Sequence, residues 1–192
     1  MKHSAKIAAI ILAAGASRRL GQPKQLVKYH GETLIARAVR IAYEAGLDPV
    51  IVVLGAERDP VRAAVSDERV VFVENDAWAE GIASSMRAGL DALEPDAVGA
   101  LIMPCDQPRL TSDHLSRMMH SFADGVIVAS SYAGLRGVPA IFPRDTWSEL
   151  MKLSADVGAR RLLANPERSV VEVAFDGGEV DIDAPEDLDQ LR

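Results

Sequence analysis

The sequence predicts an α/β fold, a three-layer arrangement in which a mostly parallel, mixed sheet is covered by helices on both faces. Two observations carry that expectation. Apolar, β-branched runs such as Lys6-Ile7-Ala8-Ala9-Ile10-Ile11-Leu12 and residues 49–54 are nearly unbroken, as in strands buried on both faces. These runs alternate with helical patterns at the spacing of strand–helix–strand crossovers. With 192 residues, 48% apolar and 26% charged, the chain can bury a substantial core, so residues 1–192 are expected to form one domain.

In order, residues 6–12 form the first strand and run directly into a glycine-rich, basic stretch. Thr33 can cap a helix whose apolar face is Leu34, Ala38, Ile41 and Ala45 and whose stop is Gly46. Residues 49–54 are a buried strand, 57–65 a short helix opening at Asp59-Pro60, and 69–74 a third strand. A helix begins near Gly81 with Ile82, Met86, Leu90 and Leu93 on its core face. Residues 97–103 are a fourth strand. Thr111 then caps a helix with Leu115, Met118, Met119 and Phe122 inward and His114 and His120 on the surface. Strands at 126–130 and 137–143 follow, then a helix around Trp147, Leu150, Met151 and Leu153. A further helix spans 155–163, and 170–175 is the last strand.

Several function classes are excluded. The longest apolar run is far short of the ~20 residues that span a bilayer. Met1–Lys6 superficially resembles a signal peptide, but cleavage there would remove the first strand, so a cytoplasmic protein is expected. A single cysteine, Cys105, permits neither an internal disulfide nor a multi-cysteine metal site. His114 and His120, six apart, have the wrong spacing for a shared metal on a helix. The net charge of −7 argues against a nucleic-acid surface. Residues 1–31, however, contain six Lys and Arg and no acid, leaving −13 for the remainder, a pattern suited to a small anionic ligand at one mouth.

That mouth is the stretch Leu12-Ala13-Ala14-Gly15-Ala16-Ser17-Arg18-Arg19-Leu20-Gly21-Gln22-Pro23-Lys24. Glycines allow close ligand approach, backbone N–H groups can face phosphate oxygens, and Arg19 and Lys24 add full charges. Neither the Walker pattern nor the dinucleotide pattern Gly-x-Gly-x-x-Gly is present. A glycine-rich turn with solvated cations is the plainer reading of the same residues. Further on, Asp106 and Asp183 each follow an apolar strand, where open α/β sheets bind ligands. In the segment Asn75–Ser85, Gly81, Ser84 and Ser85 occupy a helical first turn, with simple capping by Ser84 as the alternative to nucleoside contact.

The first stretch resembles the signature Leu-Ala-Ala-Gly-x-Ser-x-Arg-Met-Gly-x-x-Lys of the molybdopterin nucleotidyltransferase family, with Leu20 in place of Met. Four further segments are similar to that family's motifs in order: the Asn75–Ser85 segment, Cys105-Asp106-Gln107-Pro108, Gly137-Val138-Pro139 with Asp156-x-Gly-Ala-Arg160, and Asp181-Ile182-Asp183-Ala184-Pro185-Glu186-Asp187. The resemblance implies a Rossmann-like nucleotidyltransferase fold and Mg²⁺-dependent transfer of a nucleotide to a molybdopterin-type acceptor. It implies Leu12, Ala13, Ala14, Gly15, Arg19, Lys24, Gly81 and Ser85 at the nucleotide, with Arg19 and Lys24 on its phosphates. Asp106 and Asp183 would hold the metal, and a molybdoenzyme is an implied downstream partner.

The departures lie on the acceptor side. Val138 replaces the family's histidine in Gly-His-Pro and can neither donate a hydrogen bond nor take up a proton. Gly137, Pro139, Asp156 and Arg160 remain acceptor-side candidates. For Asp156 and Arg160, a helix-terminal acid and an i,i+4 ion pair are the alternative. Ala14 stands where guanylyl-transferring relatives tend to have glycine, which points to CTP. Other readings are GTP, another phosphorylated acceptor, and a non-catalytic protein that binds the cofactor during molybdoenzyme maturation.

Overall fold

The computed structural model describes residues 6–156 and 158–191; positions 1–5, including Lys2 of the basic segment, and Val157 lie outside the described residues. Strand β1 (Lys6–Ala13) leads through the basic loop to a two-residue hairpin, β2 (Lys28–Tyr29) and β3 (Glu32–Thr33). His30 and Gly31, with φ of 50° and 83°, form its turn. Helix α1 (Leu34–Glu44) starts at Thr33, whose hydroxyl accepts from the Ala36 N–H. There follow β4 (Val50–Leu54), α2 (Arg58–Ala63), β5 (Val71–Glu74), α3 (Ile82–Asp91), β6 (Ala97–Pro104) and α4 (Ser112–His120). The chain continues with β7 (Ile127–Tyr132), β8 (Leu135–Pro143), α5 (Trp147–Leu150), α6 (Arg160–Leu163), β9 (Val170–Ala174) and a 3-10 stretch, Pro185–Leu191.

The sheet has seven strands in the order β5-β4-β1-β6-β8-β7-β9. β1, β4, β5 and β6 are parallel, β8 runs antiparallel to β6 and β7, and β9 is parallel to β7. The mixed, mostly parallel sheet expected from the sequence is therefore present. Alternate residues of β1 enter different cores. Ala9, Ile11 and Ala13 pack with α1 and α4, whereas Ile10 packs with α3, α5 and α6. β4 lies on one side of β1 and β6 on the other, so the strand order reverses there and a crevice opens at their carboxyl ends.

Three expectations need correction. His114 is buried, 1% exposed, because its ring stacks on Phe175 at 4.6 Å and its Nε2 lies 2.9 Å from Ser130 Oγ. Ile82 is 41% exposed, because the first residue of α3 overhangs the crevice instead of facing the core. The helix expected over 155–163 is one turn, Arg160–Leu163, preceded by a bend in which Ala155 has φ of 53°.

Candidate active site

The basic loop is held from beneath. The Ala14 carbonyl accepts from Ala56 N–H at 3.1 Å, and a Cβ at Gly55 would stand 2.7 Å from the Ala14 methyl. Ser17, at φ 50°, accepts on its hydroxyl from the Lys24 N–H at 3.0 Å. Gln25, one residue on and 1% exposed, donates from Nε2 to the carbonyls of Ala13 and Gly15 at 2.9 and 2.8 Å. Leu20 is buried with Leu34 and Ile182, which ties the loop to the C-terminal segment and explains an apolar residue directly after two arginines.

That segment reaches the end of β6 through the Ile182 N–H, which donates to the Asp106 carbonyl at 3.1 Å. Asp187 turns back and accepts on Oδ2 from the N–H groups of Asp183 and Ala184, at 2.9 and 2.8 Å. Asp106 and Asp183 are thereby brought to one point, and Lys24 joins them. Its ammonium donates to Asp106 Oδ2 and, at 2.7 Å, to Asp183 Oδ1, while Arg19 Nη2 donates to Asp183 Oδ2 at 2.8 Å. Burial alone would lower the Lys24 pKa, but the two carboxylates outweigh it and raise it. For Asp183, burial pulls upward and the Lys24 hydrogen bond prevails, lowering the carboxyl. Asp181 is raised, by burial first and then by the charges of Asp106 and Asp183.

At the start of α3, buried Asn75 donates from Nδ2 to the hydroxyls of Ser84 and Ser85 at 2.9 and 3.0 Å. Ser84 spends its own proton on the Gly81 carbonyl at 2.8 Å. Gly81 itself, at φ 107°, is the N-cap of α3 and has no side-chain cap bond. A Cβ there would lie 2.6 Å from both Ala155 C and Asp156 Oδ1, so the 155–156 bend sits on the helix start.

Two adjoining clefts result. A cleft of about 440 Å³ is lined by Leu12, Ala14, Gly15, Arg19, Lys24, Gly81, Ser85, Asp106 and Asp183 among others. Of the expected nucleotide residues Ala13 is the exception, because its side chain faces the core. A second cleft of about 900 Å³ shares Leu12, Ile82, Pro104, Asp106 and Asp156 with the first, and Val138 and Arg160 line it further out. Gly137 and Pro139 are buried at either side of Val138. Tyr132 Oη and Gln107 Nε2 both donate to the Val138 carbonyl, at 3.1 and 3.2 Å, which holds β8 at the cleft wall. Trp78, Ile82, Tyr132 and Gln107 line these clefts without having been singled out as site residues. Cys105 is a buried thiol pushed up to about 12, chiefly by burial and then by Asp106, so it is no nucleophile at neutral pH.

The MobA-like NTP transferase domain matches residues 9–171. The chain belongs to the MobA-like family. Among its relatives, the purine catabolism protein PucB of Bacillus subtilis is 33% identical over 95% of this chain and 94% of its own length. Nicotine blue oxidoreductase of Paenarthrobacter nicotinovorans is 33% identical over 82% and 81%. Weaker matches bear the names molybdenum cofactor cytidylyltransferase (Escherichia coli, 23% identical over 93% of this chain and 92% of its own) and probable molybdenum cofactor guanylyltransferase (Opitutus terrae, 31% over 88% and 77%). The crystal structure of Rv0371c from Mycobacterium tuberculosis superposes with a TM-score of 0.86 at 32% identity, covering 98% of each chain, and a manganese complex of that protein matches at 0.79, 31% identical over 97% of each chain. These names span more than one reaction, so membership of the MobA-like family does not by itself fix the substrates of this chain.

Proposed function

We propose that the chain transfers CMP from CTP to the phosphate of a molybdopterin-type acceptor, releasing pyrophosphate, as a Mg²⁺-dependent enzyme of the cytoplasm. The observation that carries this reading is the convergence of Lys24, Asp106 and Asp183 where the two clefts meet. The smaller cleft suits a nucleoside triphosphate, with its phosphates on the loop and its nucleoside toward Gly81, Ser85 and Trp78. The larger suits a bulkier acceptor.

In such a transfer an acceptor phosphate oxygen bonds to the α-phosphorus while the bond to the β-phosphate bridging oxygen breaks, and pyrophosphate departs with that electron pair. Two anions must be brought together, so positioning and charge neutralisation are the protein's main tasks. Arg19 and Lys24 neutralise the triphosphate. Asp106 and Asp183 fit a Mg²⁺ ion, which takes one or two protein carboxylates and fills its remaining positions with waters and phosphate oxygens. That both carboxylates share one ammonium supports a cation between them; bound there, Mg²⁺ would supply charge stabilisation to the transferring phosphoryl group.

CTP is preferred to GTP because Ala14, a residue lining the smaller cleft, stands where guanylyl-transferring relatives tend to have glycine. Val138 favours a second reading on the acceptor side, a different phosphomonoester, since it presents an apolar wall. Pyrophosphate release is to be measured with Mg²⁺, each of the four NTPs, and either molybdopterin or sugar and alcohol phosphates. Release with CTP and molybdopterin is expected. Release only with another phosphate names that acceptor, and tight ligand binding without release in any mixture indicates a maturation protein instead.

A further inference from the structure

We propose that Gln25 is a positioning residue that sets the loop's peptide planes for binding the polyphosphate. The proposal rests on the reading of the loop as a phosphate site, and it concerns a side chain that itself touches no substrate. A trans peptide unit points its C=O and its N–H in opposite directions. Gln25 Nε2 takes the carbonyls of Ala13 and Gly15, at 2.9 and 2.8 Å, from inside the fold. The N–H groups of Ala14 and Ala16, on those same two peptides, therefore point away from Gln25, and both residues line the smaller cleft. The intervening Ala14 carbonyl is fixed by Ala56 N–H. Three successive peptides thus have assigned orientations, and Gln25 assigns two of them.

The same side chain carries a cost. Its Oε1 is buried and has no hydrogen-bond partner among the described residues. An apolar side chain of equal size would avoid that unpaired acceptor. It would also remove the two donations to the loop and leave the carbonyls of Ala13 and Gly15 without them. Gln25 also sits in the same 3-10 turn as Lys24, whose N–H is bound by Ser17. The turn that delivers the ammonium to the carboxylates therefore also shapes the anion-binding backbone opposite it.

The test uses inorganic pyrophosphate as the probe, so that it is independent of base, acceptor and turnover. Calorimetric titration compares the wild-type protein with Gln25→Met and Gln25→Glu, alongside their melting temperatures. Gln25→Met is expected to stay folded, with a melting temperature lowered by the two carbonyls it leaves unpaired, and to bind pyrophosphate at least tenfold more weakly at a temperature where it is fully folded, and Gln25→Glu to bind it more weakly still. In the wild-type protein, the amide NMR resonances of Ala14 and Ala16 are expected to move on adding pyrophosphate. Unchanged affinity in a folded variant, or unmoved amides while pyrophosphate binds, overturns the positioning role. Pyrophosphate binding that depends on Gln25 in a protein that transfers no nucleotide overturns the proposed reaction and leaves the inference standing. A wild-type protein that binds no pyrophosphate overturns both.

Discussion

Lys24 is neutralised twice, by Asp106 and by Asp183, before any ligand arrives. On the proposed reaction, a triphosphate would draw the Lys24 ammonium to its phosphates and leave Asp106 and Asp183 to hold a divalent ion, which would supply charge stabilisation there. Asp106→Ala should therefore reduce pyrophosphate release by a factor on the order of 10² to 10³, the size expected when one preorganised charged group is removed, with an unchanged circular dichroism spectrum. Near-normal release would remove Asp106 from the site. His114 makes a separate prediction. Burial, reinforced by Arg117, pushes its pKa down to about 4, so the folded protein keeps the ring neutral where the unfolded chain, titrating near 6.5, takes up a proton. Its contribution to stability is constant above that pH and declines as pH falls from about 6.5 to about 4, by at most about 1.4 kcal/mol per unit. His114→Gln should flatten this slope in urea titrations across that range.

Among the elements, α3 depends most on one backbone conformation. Gly81 combines φ of 107° with an approach that leaves 2.6 Å between a would-be Cβ and the Ala155 carbonyl carbon. Gly81→Ala should cost on the order of 1–3 kcal/mol and raise the KM for CTP, because the helix start and the 155–156 bend move together; thermal melts and initial rates check the two parts. The strands and the Thr33 and Thr111 caps were legible in the sequence because each rests on local chemistry: a continuous apolar run, or a hydroxyl ahead of an amphipathic stripe. The β2–β3 hairpin was not, since two-residue strands show no periodicity. Nor was the burial of His114, which depends on Ser130 and Phe175 arriving from β7 and from the chain just beyond β9, respectively.

At the scale of the molecule, the sheet's reversal at β1 gathers residues 82 and 159 positions away from Lys24 around its ammonium. Glycines and charges at strand ends were readable in one dimension. The scaffold that aims them was not: Gln25, Asn75 and Asp187 work through hydrogen bonds to distant or turned-back backbone and side chains, and nothing in their residue type announces it. If the described cleft takes the nucleotide only when folded, CTP with Mg²⁺ at a hundred times its Kd should add about 2.7 kcal/mol of stability, seen as a rise in melting temperature that Lys24→Met diminishes. The most direct measurement follows the α-phosphorus itself. With CTP labelled at that atom, Mg²⁺ and molybdopterin, label is expected in a cytidine–molybdopterin dinucleotide with one pyrophosphate released per transfer. Label remaining in CTP, or appearing only in free CMP, would contradict it.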